Sequence, residues 1–139
     1  AIPPVPCHLG DVSQVLINLI VNAAHAIEDR SKREGGMRRG RITISTALEP
    51  AHVRISIADD GDGIPEAIHE RIFEPFYTTK VVGRGTGQGL AIARTIVVER
   101  HGGELSFDTQ VGKGTTFHVR LPLEAPRSRS SVWAQQPHA

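Results

Sequence analysis

Hydrophobic residues recur at helical spacing in two stretches of the chain. The first stretch covers residues 11–29, and Asp11 or Ser13 is expected to cap its start. The second stretch covers residues 88–100 and ends at His101-Gly102-Gly103, which is a typical helix stop. Each stretch therefore predicts a helix that packs one apolar face on a core.

Between and after these helices, hydrophobic and polar residues alternate as they do in β-strands. Residues 42–48 and 53–57 alternate on either side of a turn at residues 49–51, which predicts an antiparallel hairpin. A second hairpin is predicted around residues 110–114, and a short helix is expected from residue 65 to about residue 71. The chain is therefore predicted to contain both helices and antiparallel strands.

Composition narrows the class of protein. The chain has 139 residues, 39% of them hydrophobic, and a formal net charge of +1, as expected for one soluble domain that does not bind nucleic acid. Cys7 is the single cysteine and cannot form an internal disulfide, and no signal peptide or membrane span is visible. A reducing cytoplasm is the expected compartment. Residues 1–123 are expected to fold, residues 30–40 to form a solvated loop, and residues 124–139 to form a disordered tail rich in Pro, Ser, Arg and Gln.

Polar residues occupy part of the first predicted helix where the core should begin. Asn18, Asn22, His25 and Asp29 fall in a narrow row along one edge of the apolar face. Asparagine oxygens on one helix face suit a hard cation. This row therefore predicts a site for a metal-bound ligand.

Two loops rich in glycine follow in the sequence. Asp59-Asp-Gly-Asp-Gly63 comes directly after a predicted strand, and Gly83-Arg-Gly-Thr-Gly-Gln-Gly89 precedes the second helix. Glycines leave backbone N–H groups accessible to phosphates. Neither loop has the spacing of a G-x-G-x-x-G fingerprint or of a G-x-x-x-x-G-K-[ST] phosphate loop. A calcium loop is also excluded, because Pro65 and Arg71 would occupy the positions that require Gly and Glu.

In this order, the motifs resemble those of the catalytic, ATP-binding domain of two-component sensor histidine kinases. That domain belongs to a superfamily that includes gyrase, the mismatch-repair ATPases and a heat-shock chaperone, and the resemblance covers residues 11–122. It implies that Asn22 is a magnesium ligand, that Asn18 lies beside it, and that Asp59 accepts a hydrogen bond from the adenine amino group. A carboxylate suits adenine because it can only accept.

The resemblance also implies further contacts to ATP from both glycine loops, from the segment between them and from the final hairpin. These expected contacts are His25, Gly61, Gly63, Ile64, Phe76, Thr79, Lys80, Gly85, Thr86, Gly87, Gln88, Gly89, Leu90 and Thr115. For several residues a structural alternative stays open: His25 as a satisfied structural histidine, Lys80 and Arg84 as solvated charges, and Phe73 and Phe76 as packing residues.

The fold that the resemblance implies is an α/β two-layer sandwich, with a mixed, mainly antiparallel sheet covered on one face by helices. ATP would lie between the helices and a mobile lid at residues 77–87. Superfamily members that hydrolyse ATP typically carry a glutamate base where this chain has Asn18, and an amide is no base at neutral pH. The expected activity is therefore autophosphorylation of a histidine, not hydrolysis.

The expected partners follow from what the chain lacks. The H-E-x-x-N-P-like signature of a phosphoacceptor helix is absent, so the histidine is expected on a separate dimerisation domain of the same parent protein, with a response regulator downstream. No nucleic acid or membrane contact is expected. Two alternatives stay open: a kinase of the same fold that phosphorylates another acceptor, such as serine, and a non-catalytic module that senses nucleotide.

Overall fold

A four-stranded sheet and a layer of helices form the described part of the chain. The computed structural model describes residues 5–36, 39–75 and 89–123. The predicted lid at residues 77–87 and the predicted tail lie outside these residues. The elements are α1 (Leu9–Arg33), β1 (Ile42–Leu48), β2 (His52–Asp59), a short 3-10 helix (Glu66–Ile68), α2 (Gly89–Arg94), which continues as a π-helix (Thr95–Arg100), β3 (Glu104–Gln110) and β4 (Gly114–Pro122).

The strands lie in the order β1-β2-β4-β3, and each of these pairings is antiparallel. The predicted α/β two-layer fold is confirmed, and so are both predicted hairpins. In this register Asp59 pairs with Thr115, and Thr115 pairs with Thr109 on the other side. These three residues therefore form a polar row at one end of the sheet.

The core lies between the helices and one face of the sheet. Residues of α1 that recur every four positions meet the alternate residues of β2 and β4, as the two periodicities require. The Phe73 ring packs with its edge toward Phe117, with ring centres 6.4 Å apart, so its interpretation as a packing residue is confirmed. The buried hydrophobic residues are Val15, Leu19, Ala23, Val53, Ile57, Ile72, Ala93, Ile96, Val97, Phe117, Val119 and Leu121.

Helix α1 is longer than the hydrophobic pattern predicts, and its predicted cap is wrong. The helix begins at Leu9, and no side chain caps its first turn. Asp11 lies inside that turn, where its carboxylate pairs with Arg100 at 3.2 Å. At the other end the helix continues to Arg33, so the first residues of the predicted 30–40 loop are helical. Ion pairs four residues apart, such as Lys32 with Glu28 at 3.0 Å, support this extension.

Two smaller expectations are also corrected. The helix expected over residues 65–71 is only the 3-10 helix Glu66–Ile68, followed by turns. On β1, Ile44 and Leu48 are 54% and 53% exposed although their alternation predicts burial. The reason is that β1 lies at the sheet edge, whereas α1 packs mainly over β2. No helix among the described residues has the length and apolar character needed to cross a membrane.

Candidate functional site

A buried carboxylate lies at the end of β2. Asp59 is 9% exposed, and its Oδ1 accepts a hydrogen bond of 2.9 Å from the Gly61 N–H. Burial raises the pKa of the Asp59 carboxyl, while hydrogen bonds from the backbone N–H groups of Gly61 and Thr115 act in the opposite direction. A carboxylate has about four lone-pair positions, so two of them stay available to a ligand.

The glycine loop after Asp59 lies directly against α1 on one side and against the β3–β4 turn on the other. A Cβ on Gly61 would lie 2.6 Å from the carbonyl carbon of Ala26, which is part of the α1 backbone. Gly63 has a φ of 78°, and a Cβ there would meet the Gln110 carbonyl. These two positions therefore require glycine, because neither neighbour is a flexible side chain.

Two arginines from the last turns of α1 contact the same loop from outside. Arg30 donates from one guanidinium nitrogen to the carbonyl oxygens of Asp60 at 3.0 Å and Gly61 at 3.4 Å. Arg33 pairs with the Asp62 carboxylate at 2.6 Å. The hydrophobic pattern predicts a helix end before Arg30, so neither contact was predicted from the sequence. The available signal was the position of Arg33, which continues the polar row of α1.

Asn18 connects α1 to the start of α2. Its Nδ2 donates to the Gly89 carbonyl oxygen at 3.1 Å, and its Oδ1 accepts from the Gln14 side chain at 2.6 Å. Asn22 is half-buried and lies one turn after Asn18 on α1. One further turn along the helix is Ala26, whose backbone lies against Gly61 of the glycine loop. The structure therefore places Asn22 between the two regions that the sequence predicts to hold nucleotide.

A pair of threonines joins the glycine loop to the final hairpin. The buried Thr115 is 4% exposed, and its hydroxyl lies 2.8 Å from that of Thr109. Thr109 Oγ1 also accepts from the Ile64 N–H at 2.9 Å and lies 3.1 Å from the Gly114 carbonyl oxygen. Sequence reasoning did not identify Thr109, because a threonine in an alternating strand carries no local signal of function.

The structure brings the described members of the predicted site to one end of the sheet and to the adjoining face of α1. His25 is half-buried on α1, and Leu90 packs against the core at the start of α2. The predicted contacts that lie outside the described residues are Phe76, Thr79, Lys80, Gly85, Thr86, Gly87 and Gln88.

A cavity of about 400 Å³ opens beside the same loop. Its lining residues are Arg39, Gly40, Arg41, Thr43, Ala58, Asp59 and Asp60. Thr43 and Ala58 pair across β1 and β2 on the face of the sheet that the helices do not cover. This cavity therefore reaches Asp59 from the uncovered side of the sheet, and it shares Asp59 with the predicted nucleotide site.

Comparison with known proteins identifies the relatives of this architecture. The sequence profile of the family described as histidine kinase-, DNA gyrase B-, and HSP90-like ATPase matches residues 8–125. Sporulation kinase E of Bacillus subtilis (strain 168) is 41% identical over 123 residues, which cover 88% of this chain and 15% of that protein. Sensor kinase CckA of Brucella abortus (strain 2308) is 39% identical over 125 residues, which cover 86% of this chain and 13% of that protein.

A solved structure shows the same fold. The catalytic domain of histidine kinase ThkA, in a nucleotide-free form, superimposes with a TM-score of 0.70 and 35% sequence identity. The superposition covers 86% of this chain and 71% of that chain. The chain thus corresponds to most of a solved catalytic domain, whereas it spans less than a sixth of these two curated relatives.

Proposed function

Because the chain belongs to the family of histidine kinase-, DNA gyrase B- and HSP90-like ATPases, we propose that it binds magnesium ATP and presents the γ-phosphate to a histidine. The histidine would lie on a separate dimerisation and phosphoacceptor domain of the same parent protein. The chain would thus be the catalytic domain of a sensor histidine kinase in the cytoplasm, with a response regulator receiving the phosphoryl group afterwards.

The observation that carries this proposal is the environment of Asp59. Its carboxylate is buried at the end of a strand, it is held by two backbone N–H groups, and it retains acceptor positions for a ligand. An acceptor in this setting favours a base with an exocyclic amine and disfavours a base that presents a carbonyl group there. This chemistry supports adenine over guanine.

The polar row on α1 fits the phosphate end of the nucleotide. Asn22 would hold magnesium through its side-chain oxygen, and a neutral ligand suits a cation that is already bound to phosphate oxygens. When bound, magnesium neutralises charge that develops during phosphoryl transfer. Asn22 is half-buried and lies within one turn of both Asn18, which contacts Gly89 at the start of α2, and Ala26, which contacts the glycine loop. Contacts from the loop at residues 83–88 stay predictions.

The side chain of Asn18 favours a kinase over a hydrolase. An amide does not accept a proton at neutral pH, and here its nitrogen donates to Gly89 while its oxygen accepts from Gln14. The side chain therefore holds α2 in place and offers no general base to activate water. Positioned phosphate without a positioned nucleophile reacts slowly, which agrees with transfer that requires a second domain.

The test is phosphoryl transfer to the phosphoacceptor domain of the parent protein. With that domain and radiolabelled magnesium ATP, the chain should produce phosphate that is labile in acid and stable in alkali. Asn22→Ala should abolish the product, whereas Ser13→Ala, an exposed change on the same helix, should not. The chain alone should bind ATP but incorporate no label.

Three outcomes would contradict the proposal. Phosphate that is stable in acid would indicate a serine-type acceptor, and rapid hydrolysis by the chain alone would indicate an ATPase. Binding of magnesium ATP without transfer to the phosphoacceptor domain would indicate a module that only senses nucleotide.

A further inference from the structure

We propose that Thr109 is a positioning residue that sets the hydrogen-bonding direction of the Thr115 hydroxyl and thereby sharpens the selection of adenine. This inference rests on the proposed binding of ATP. It assigns a role to a residue on β3, a strand that contributes no residue to the predicted site.

The position of Thr109 follows from strand register. Asp59, Thr115 and Thr109 are direct neighbours across β2, β4 and β3, so their side chains project from the same face of the sheet. The next row on this face is apolar and includes the buried Phe117. The three polar side chains therefore form one row across the sheet, in which the Asp59 carboxyl accepts from the Thr115 backbone N–H and the Thr115 and Thr109 hydroxyls lie 2.8 Å apart.

The hydrogen bonds of the Thr109 hydroxyl explain how it can orient the Thr115 hydroxyl. Its hydroxyl has one proton, and one of its two lone pairs accepts from the Ile64 N–H at 2.9 Å. The proton has two possible acceptors, the Gly114 carbonyl oxygen at 3.1 Å and the Thr115 hydroxyl at 2.8 Å. If the Thr109 hydroxyl donates to the Gly114 carbonyl oxygen, the Thr115 hydroxyl donates to Thr109 and can only accept from a ligand. If the Thr109 hydroxyl donates to Thr115 instead, the Thr115 hydroxyl can donate its own proton to a ligand.

The choice of donor has a consequence for base recognition beside Asp59. Adenine presents an amine donor next to a ring nitrogen acceptor, so it is matched by a carboxylate and a donating hydroxyl, directly or through a water molecule. Hypoxanthine presents the reverse pattern, a carbonyl acceptor next to a ring N–H donor. The Thr109 hydroxyl lies closer to Thr115, at 2.8 Å, than to the Gly114 carbonyl oxygen, at 3.1 Å, which favours the arrangement in which Thr115 donates to the ligand. A donating Thr115 hydroxyl adds to the discrimination that Asp59 provides.

The second contact of Thr109 supports the same role. Through the Ile64 N–H it holds the end of the glycine loop that begins at Asp59. Loss of the hydroxyl would leave this N–H and the Thr115 hydroxyl without their partner at the same time. Both effects act on the base end of the site, while Asn18 and Asn22 at the phosphate end are unchanged.

The experiment compares ATP with inosine triphosphate by calorimetry in the presence of magnesium. Thr109→Val, which keeps the side-chain shape, should weaken ATP binding by about three- to tenfold and reduce the preference for ATP over inosine triphosphate. Thr109→Ser should restore both. The matched control is Thr116→Val, because Thr116 lies on the other face of β4 and should leave both affinities unchanged. Amide exchange at Ile64, measured by NMR, should accelerate in Thr109→Val alone.

The outcomes separate this inference from the proposed function. If the unmodified chain binds no nucleotide, the proposed function fails and the inference fails with it. If the unmodified chain binds ATP and Thr109→Val keeps its affinity and base preference, only the inference is overturned. Equal weakening for both nucleotides, or no rescue by serine, would also overturn it, because a purely structural role would produce that result.

Discussion

Replacement of Gly61 by alanine should separate the glycine loop after Asp59 from α1. A Cβ at this position would lie 2.6 Å from the carbonyl carbon of Ala26 and 2.7 Å from its Cβ and carbonyl oxygen. Ordinary contacts of a Cβ begin at 3.4 Å, so the loop and the helix must move apart by about 0.8 Å. Such overpacking costs about 1–3 kcal/mol, and for a domain of this size each kcal/mol lowers the melting temperature by roughly 3–6 °C.

The same displacement should weaken ATP binding. The Gly61 N–H donates to Asp59, and its carbonyl oxygen accepts from Arg30, so a shift of the loop disturbs the carboxylate directly. We expect a loss of at least about tenfold in affinity, because sub-ångström placement governs such sites. Urea or thermal unfolding measures the first effect, and calorimetry with magnesium ATP measures the second.

Two further variants make this prediction specific. Gly10→Ala introduces the same methyl group in the first turn of α1, where it meets no heavy atom within 4 Å, and should stabilise the domain by up to about 1 kcal/mol. Ala26→Gly should not rescue Gly61→Ala, because two of the three close atoms belong to the backbone. If Gly61→Ala keeps both the melting temperature and the ATP affinity of the unmodified chain, the loop does not lie against α1 and the reasoning is refuted.

Three further predictions concern charge and packing. Burial raises the pKa of the Asp59 carboxyl. ATP affinity should therefore fall as the pH decreases through this raised pKa, because the protonated carboxyl is a poorer acceptor. The stability that the nucleotide-free domain gains from the bound proton should be lost as the pH rises through the same pKa. Asp59→Asn should bind ATP about tenfold more weakly at neutral pH and lack this pH dependence; calorimetry across the range would contradict this if the unmodified chain showed a flat profile. Arg30→Ala should cost about 1–2 kcal/mol in urea unfolding because its side chain is 19% exposed and donates to two carbonyl groups of the loop. Arg33→Ala, at an exposed ion pair, should leave stability unchanged, and equal effects of the two changes would refute this contrast. Phe117→Ala should cost about 3–5 kcal/mol because the ring is 1% exposed; a smaller loss, measured in urea, would show that the core refills the space.

Local patterns in the sequence determined much of the fold and the identity of the predicted site. The spacing of Asn18 and Asn22 depends only on helical periodicity, and Asp59 lies at the end of an alternating strand followed by glycines. Alternation also predicted both hairpins, because one strand of each hairpin, β2 or β4, buries the hydrophobic residues of one face. These features were readable because neighbouring residues in the chain produce them, and the order of the motifs indicated the family.

Tertiary structure decided the features that depend on contacts between distant parts of the chain. Arg30 and Arg33 became part of the site only because α1 continues beside the glycine loop, about 30 residues away in sequence. Thr109 acquired its neighbours through the pairing of β3 with β4 and through the Ile64 N–H. Ile44 is exposed because β1 forms the sheet edge. In each case the side chain alone is ambiguous, and the packing of separate elements supplies the partner that gives it a role.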